Sequence, residues 1–245
     1  SEIMYRPAEN SQAEFLEIYD ASSFEISLTG LHFTEGIVFN FDDDSSLNSL
    51  SASGRLLIVR DLEAFQAVHG NTLDSIIAGI FQEGTALSND GEVLTLADAA
   101  GTEIFSMTYN DTAPWSGEAD GDGPSLVFRG GIPKAPESWR VSATNDGNPG
   151  TTDSTSYADG PLTTYALAEP LTLLGDDTTG TASFRAWLTA DDVDFTVEYS
   201  ASLETWAPIA SAPRSQIANA DGSRTVSFKV PPGQKGFLRL FITLR

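Results

Sequence analysis

Residues 87–109 read LSNDGEVLTLADAAGTEIFSMTY, two runs of alternating apolar residues joined by a short polar segment. Side chains of an extended chain alternate between two faces, so Leu94 and Leu96 share one face of the first run. Phe105 and Met107 share one face of the second run in the same way. The pattern predicts a β-hairpin with one apolar face.

Polar residues at the ends of the first run provide the turns. Asn89-Asp90-Gly91 opens the hairpin, and Asp98-Ala99-Ala100-Gly101 reverses the chain, because Asp bonds the local backbone and Gly adopts positive φ. A hairpin alone is not stable in water, so its apolar face requires a second sheet. We therefore expect a β domain built around this hairpin.

Further apolar runs bounded by Gly, Pro, Asn and Asp predict the other strands. These runs lie at residues 2–5, 14–19, 28–33, 36–41, 55–59, 75–81, 125–128, 137–141, 182–188, 194–199, 205–209, 223–230 and 236–244. The fold class that they indicate is all-β.

One short connector helix interrupts the strands at residues 61–69. Asp61 is a suitable N-cap, Leu62, Phe65 and Val68 recur at helical spacing, and Gly70 provides a left-handed stop. Because we identify no second helix and no phosphate-binding loop, we expect no βαβ unit and no nucleotide site.

The chain divides where its composition changes after about residue 145 to Asn, Asp, Gly, Pro, Thr and Ser. Such a segment has too few apolar side chains to pack as part of a core. We predict a β-sandwich at residues 1–150, a linker at 151–162 and a smaller β-sandwich at 163–245.

The formal charge of −22 is unevenly distributed. Positions 1–150 hold 24 acidic and 6 basic residues, and the remaining positions hold 11 and 7. The negative electrostatic field of the first 150 residues repels phosphate backbones and anionic lipids and attracts cations and basic partners. The alternative is that the charge only keeps the surface soluble. Nucleic acid and membrane insertion are therefore not expected.

The chain has no cysteine, which excludes disulfides, thiolate metal sites and cysteine nucleophiles. No apolar run reaches the ~20 residues of a membrane span. Because a strand is predicted directly after Ser1, we expect the sequence to be a fragment or a processed form from which the leader or the upstream domains are missing. The last predicted strand reaches the end of the sequence, which favours a natural C-terminus.

The first domain resembles the lamin-tail domain, an immunoglobulin-like β-sandwich found in nuclear lamins and in large secreted or surface bacterial proteins. The residues that carry the resemblance are Glu2-Ile3-Met4-Tyr5, Pro7, Glu14-Phe15-Leu16-Glu17-Ile18-Tyr19, Leu28-Thr29-Gly30, Phe33, Leu87-Ser88-Asn89, Gly91-Glu92-Val93-Leu94-Thr95-Leu96, Asp98, Pro114-Trp115, Asp120-Gly121, Ser125-Leu126, Trp139, Gly147 and Pro149-Gly150. The second domain is similar to the C-terminal β module of large secreted bacterial proteins. That similarity rests on Val197-Glu198-Tyr199-Ser200, Leu203, Thr205-Trp206 and Phe237-Leu238-Arg239-Leu240.

The resemblance implies an accessory module without catalytic residues of its own, attached to other domains and located outside the cell, in the periplasm or at the cell surface. Lamin copies are associated with protein and DNA binding, but this chain has no basic patch for the latter.

Candidate catalytic residues are few. The only histidines are His32 and His69, and no Gly-x-Ser-x-Gly elbow accompanies them, so neither a Ser/His enzyme nor a histidine metal site is indicated. A carboxylate pair for glycan hydrolysis stays open, because the sequence does not give the separation of the carboxyl groups.

Calcium is the one metal that the sequence suggests. Glu118, Asp120 and Asp122 place hard oxygen donors on a glycine-containing loop, as a calcium site requires, but the closing bidentate Glu of an EF-hand is absent. The alternative is a turn in which the Asp side chains bond backbone amides.

Trp115 is the candidate ligand-binding aromatic, because it follows Pro114 in an acidic loop where an exposed ring would stack on a sugar. The alternative is burial against a neighbouring loop.

The leading function hypothesis is a non-catalytic interaction, adhesion or spacer module that binds a protein or a surface polysaccharide. The other hypotheses are a carbohydrate-binding module or glycan hydrolase, and a nucleic-acid binder.

Overall fold

The computed structural model describes residues 1–121, 123–153, 161–170, 174–176, 181–210, 215–219, 222–229 and 236–244. The chain forms two compact units, Ser1–Asp153 and Ser154–Arg245. Several β-sheets and few helices build both units, which confirms the predicted all-β, sandwich-like fold class. None of the described helices has the length and apolar character to cross a membrane.

The first unit contains a six-stranded, a three-stranded and a two-stranded sheet. Its strands are β1 (Glu2–Met4), β2 (Phe15–Tyr19), β3 (Ile26–Ser27), β4 (His32–Glu35), β5 (Ser49–Leu50), β6 (Arg55–Val59), β7 (Ile77–Ile80), β8 (Gly91–Ala97), β9 (Glu103–Asn110), β10 (Pro124–Phe128) and β11 (Trp139–Asn145). The strand orders are β11-β10-β1-β2-β6-β7, β4-β8-β9 and β3-β5.

The predicted hairpin is confirmed as β8 and β9, which pair antiparallel from Gly91 with Asn110 to Ala97 with Glu103. Leu94 and Met107 lie opposite each other and are buried. Their face lines an apolar cavity of about 220 Å³ together with residues of the six-stranded sheet. The second sheet that the hairpin requires is therefore the six-stranded one.

The other face of the six-stranded sheet packs on helix α1 (Leu62–His69). Phe65 of α1 forms a buried cluster with Met4, Phe15 and Val59. Asp61 caps the helix by accepting from the Ala64 amide at 2.8 Å, as predicted. This face is thus covered by the helix and the opposite face by the hairpin sheet.

The expectation that the chain lacks a βαβ unit was wrong. Strands β6 and β7 pair in parallel, and α1 with the 3₁₀ turn Asp74–Ile76 forms the connection between them. The single helix that the sequence predicts is sufficient for this crossover, because a parallel pair needs only one covering connection.

The predicted strand at 36–41 is also absent. Val38 and Asn40 form isolated bridges, while Ile37, Phe39 and Phe41 are buried. The alternation thus reflects an irregular segment whose odd positions enter the core. The predicted strand at 28–33 is present only at its end, because β3 stops at Ser27 and β4 begins at His32.

Within its described residues, the second unit contains helix α2 (Leu162–Ala166), which was not predicted, and seven strands. These are β12 (Leu174–Asp176), β13 (Thr181–Trp187), β14 (Val193–Ser200), β15 (Ala207–Ala210), β16 (Ser215–Ala218), β17 (Ser223–Lys229) and β18 (Phe237–Leu244). Sheets of order β12-β13-β17-β16 and β15-β14-β18 contribute to one core. Within it, the rings of Phe184 and Phe195 lie 5.0 Å apart.

The first unit includes residues that the linker prediction placed outside it. Asp153 is buried and pairs with Arg140, and Thr152 accepts from Arg55 at 2.9 Å. At the other end of the predicted linker, Leu162 already belongs to α2. Residues 154–160 lie outside the described part of the chain.

Candidate functional site

A polar cleft of about 560 Å³ lies where several connections of the first unit meet. We call it the Arg6 cleft, and it is lined by Tyr5, Arg6, Pro7, Ala8, Ser11, Glu14, Arg60, Asn89, Asp120 and Gly121. None of these lining residues belongs to a strand or helix, so the cleft is built from connections that the sheets hold in place.

One wall of the cleft is the ion pair between Arg6 and Asp120, whose Nη1 and Oδ1 atoms are 2.5 Å apart. Gly121 lets the guanidinium lie against the backbone, because its φ is +89° and a Cβ there would come within 2.9 Å of Arg6 Nε. The segment after Arg6 is fixed by Asp146, which accepts from the Ala8 amide at 3.0 Å. The guanidinium is half-exposed and uses one of its five N–H groups on Asp120.

The second wall is the pair between Arg60 and Glu14. The Glu14 carboxylate is almost fully buried, with Oε1 on Arg60 and Oε2 accepting from the Leu87 amide at 2.8 Å. Burial raises the pKa of Glu14 above its ordinary value, although the Leu87 amide and Arg60 oppose this shift. Arg60 also donates to the Ser11 carbonyl at 3.2 Å, which holds the guanidinium at the edge of the cleft.

Tyr5 also lines the cleft, and its buried hydroxyl has no partner among the described residues. Tyr5 is 1% exposed, its ring lies 5.0 Å from the Tyr109 ring, and its hydroxyl bonds to none of the described groups. Burial raises the pKa of Tyr5, and the neighbouring charges of Asp120 and Asp111 raise it further. An unsatisfied buried hydroxyl costs ~1–3 kcal/mol, so it calls for a functional explanation.

The Arg6 cleft therefore combines donors and acceptors in a locally neutral arrangement. Two arginines are balanced by two carboxylates, and Tyr5 and Asn89 add groups that can both donate and accept. The surrounding negative charge of the unit disfavours anions. Neutral molecules with several hydroxyl groups fit this arrangement best.

The two predicted calcium ligands that lie among the described residues have other partners. Asp120 pairs with Arg6, and the Glu118 carboxylate accepts from the hydroxyl of Ser116. Asp122 lies outside the described residues. Among the described side chains, no group of three His, Asp or Glu residues is arranged to hold a metal ion. The calcium site stays a prediction, and an ion there would compete with Arg6 for Asp120.

Trp115 is half-buried, with its ring centroid 6.2 Å from that of Trp139. It does not line the Arg6 cleft. Its assignment as a ligand-binding aromatic stays a prediction.

The two histidines lie on different elements. His32 is in β4, with Nδ1 3.4 Å from the Gly30 carbonyl oxygen. His69 ends α1 and packs on Phe65, with ring centroids 4.5 Å apart. Burial lowers the pKa of His69, so its position is that of an apolar packing residue.

A second polar cluster, on the helix-covered face of the six-stranded sheet, has a structural role. Glu2 and Glu17 lie directly opposite each other on β1 and β2 and are both buried. Glu2 accepts from the Asn148 amide at 3.0 Å, and Glu17 accepts from the Gly150 amide at 2.6 Å. These carboxylates hold the segment that ends the first unit.

Sequence reasoning missed Tyr5, Arg6, Glu14, Arg60 and Asn89 as site residues. A usable signal was present in the scarcity of basic residues, since only six occur in positions 1–150 and three of them, Arg6, Arg60 and Arg129, directly follow predicted strands. No protein-family model, curated protein or solved structure matches the chain. The resemblance to the lamin-tail domain therefore stays a prediction.

Proposed function

We propose that the chain is a non-catalytic interaction module that binds a neutral, hydroxyl-rich ligand, a carbohydrate, in the Arg6 cleft. The observation that carries the proposal is the buried, unpartnered hydroxyl of Tyr5 among the paired ions of the cleft. Because this hydroxyl is closed off from the cleft in the free protein, a sugar hydroxyl would reach it only after a shift of the surrounding side chains. The same sugar would also use the remaining N–H groups of Arg6.

The hydrogen bonds and ion pairs of Glu14 and Asp120, the two carboxylates of the cleft, favour ligand binding over hydrolysis. A glycosidase needs one carboxyl group that delivers a proton to the leaving oxygen and a second that acts as base or nucleophile. Glu14 has both oxygens engaged by Arg60 and the Leu87 amide, and Asp120 is held by Arg6. Each carboxylate therefore positions an arginine.

The ligand is expected to bind weakly. The cleft has the size of a small-ligand site, but its wall contacts are polar and exchange with water on binding. We expect a Kd on the order of 0.1–1 mM for a short oligosaccharide, which repeated copies on a polysaccharide surface would strengthen.

Following the lamin-tail resemblance, we also propose that the chain works as an accessory part of a larger secreted or cell-surface bacterial protein. In that setting, a sugar-binding module would hold the parent protein on a polysaccharide.

Removal of the Tyr5 hydroxyl is expected to weaken ligand binding without lowering the stability of the protein. Tyr5→Phe removes a buried group that has no partner in the free protein, so the free energy of unfolding should stay equal or rise by about 1 kcal/mol. Ligand affinity should fall roughly 5- to 10-fold. Urea unfolding and calorimetric titration measure the two quantities on the same samples.

Tyr109→Phe is the matched control. The Tyr109 hydroxyl donates to the Ser88 carbonyl at 2.8 Å, with Glu92 Oε1 at 3.1 Å. Its removal should destabilise the protein by about 1 kcal/mol or more. Should both variants lose equal stability, the Tyr5 hydroxyl would have a partner in the free protein and the argument for a waiting ligand would fail.

The function itself is tested with neutral gluco-, manno-, galacto- and xylo-oligosaccharides, each titrated into the full chain and then analysed for cleavage. We expect saturable binding of at least one series, loss of that binding in Arg6→Ala, and recovery of the intact sugar. Release of shorter products would support the glycan hydrolase instead, and absence of binding to all four series at ~10 mM would reject the proposal.

A further inference from the structure

The apolar cavity between the six-stranded sheet and the hairpin sheet has the properties of a ligand site. Its volume is about 220 Å³, with Ile3, Leu16 and Ile18 on one wall and Leu94 and Met107 on the facing wall. It shares no lining residue with the Arg6 cleft. Whatever binds in the cavity therefore contacts a different set of side chains from the ligand of the cleft.

The cavity has a closed inner end and an open mouth. Leu16 of β2 and Leu94 of β8 are 4% and 3% exposed, whereas Ile18 and Leu96, two residues further along the same strands, are half-buried. Phe105, which lies opposite Leu96 in the hairpin, is 37% exposed. Exposure thus rises along both walls, so a small molecule enters from solvent past these partly exposed residues.

The volume indicates the size of the occupant. Protein cores are packed as densely as organic crystals, and few of their voids are larger than a water molecule. An apolar cavity of ~150 Å³ lined by Leu, Ile and Phe excludes water and binds benzene. The cavity of this protein is larger than that, but smaller than the ~300–1,000 Å³ of sites for drug-sized ligands. It therefore fits a short apolar group.

The two carboxylates beside the cavity are engaged elsewhere. Glu2 accepts from the Ser125 hydroxyl at 2.5 Å and from the Asn148 amide at 3.0 Å. Glu17 accepts from the Gly150 amide at 2.6 Å. All of these bonds lie on the helix-covered face of the six-stranded sheet. The cavity itself presents mainly hydrocarbon, aromatic and thioether surface, which favours a neutral apolar group over an ion.

The charges around the mouth favour a neutral ligand as well. Arg55 lies over the Tyr19 ring, with its Cζ 4.7 Å from the ring centroid, and it pairs with Glu17. This guanidinium disfavours a cationic head group at the mouth. The 24 acidic and 6 basic residues of positions 1–150 disfavour an anionic one.

We propose that the cavity binds the alkyl chain of a small neutral amphiphile, with the polar end of that molecule in water at the mouth. Residues two apart on one face of a strand are ~6.8 Å apart. Leu16 with Ile18, and Leu94 with Leu96, therefore form two apolar strips that run from the inner end to the mouth. An extended chain contacts both strips along its length.

Methionine-methyl nuclear magnetic resonance provides a probe with an internal control. The chain has two methionines, of which Met107 lines the cavity and Met4 is buried on the helix-covered face. On titration of the full chain with 1-butanol, 1-hexanol and 1-octanol, the Met107 signal should shift saturably. The Met4 signal, assigned through Met4→Leu, should stay in place.

The dependence on chain length tests burial of the alkyl chain. Affinity should rise about 4-fold with each added methylene, because each buried CH₂ contributes a similar transfer free energy. The rise should level off once the chain is longer than the cavity.

Two substitutions fill the cavity, and a third is their matched control. Leu94→Phe adds carbon atoms at the closed end and should weaken hexanol binding roughly 10-fold or more. Leu96→Phe should also weaken binding, and its half-buried position accommodates a ring more easily if Leu94→Phe folds poorly. Val93→Phe adds a ring on the outer face of the same strand, where Val93 is 37% exposed, and should bind as wild type.

Three results would overturn the proposal. The first is a Met107 signal that does not shift, or that shifts no more than the Met4 signal. The second is equal affinity for butanol, hexanol and octanol. The third is wild-type affinity for hexanol in both filled variants.

Discussion

Arg140→Met is expected to lower the free energy of unfolding of the first unit by ~3–5 kcal/mol. Arg140 and Asp153 form a salt bridge in which their side chains are only 7% and 4% exposed. Asp153 also accepts from the Ala143 amide at 3.1 Å. Methionine fills a similar volume but removes the arginine charge from beside a buried carboxylate, and this loss of charge compensation causes most of the change in stability.

Urea unfolding of wild type and variant measures the change. The control is Lys134→Met, which breaks the exposed pair with Glu103, where the side chains are 60% and 53% exposed and the ions 3.0 Å apart. An exposed pair contributes ~0–1 kcal/mol, so this variant should unfold close to wild type. Similar losses for both variants would mean that burial of Asp153 is not important for the first unit.

Glu2→Gln is expected to flatten the dependence of stability on pH. Burial raises the pKa of Glu2 from 4.5 to about 7, against the hydrogen bonds from Ser125 and Asn148. Between these values the folded state keeps a proton on Glu2 that the unfolded state releases, so the contribution of Glu2 to stability falls as pH rises from about 4.5 to 7. The full loss is on the order of 3 kcal/mol and persists above pH 7.

Glutamine keeps the oxygen that accepts from Ser125 at 2.5 Å and from the Asn148 amide at 3.0 Å but does not titrate. The variant should therefore be more stable than wild type at pH 8, and the difference should shrink towards pH 5. Chemical unfolding at both pH values measures this, with Glu25→Gln as a control for loss of one exposed carboxylate. A variant less stable than wild type at pH 8 would contradict a raised pKa for Glu2.

Local features of the fold were predictable from the sequence. The hairpin of β8 and β9 has a strict period of two and its own turn residues, and α1 has both a cap and a stop. Partners that are distant along the chain were not predictable. The parallel pairing of β6 with β7 and the irregular backbone at 36–41 depend on what packs against them, which periodicity does not encode.

The candidate site was even less accessible to sequence reasoning. Arg6 and Asp120 are 114 residues apart, and Glu14 meets the Leu87 amide across 73 residues. Asp120 was predicted to be a metal ligand because its neighbours in the sequence, Glu118 and Asp122, are acidic. The structure gives Asp120 a cationic partner, so its neighbours in space determine its chemistry.

Ligand binding at the Arg6 cleft is tested most directly by nuclear magnetic resonance of the ¹⁵N-labelled full chain, titrated with the neutral oligosaccharides. The account predicts saturable shifts of the amide signals of cleft residues such as Ala8, Asn89 and Gly121, with roughly 5- to 10-fold weaker binding in Tyr5→Phe. Shifts confined to residues outside the cleft, or equal affinity in Tyr5→Phe and wild type, would contradict it.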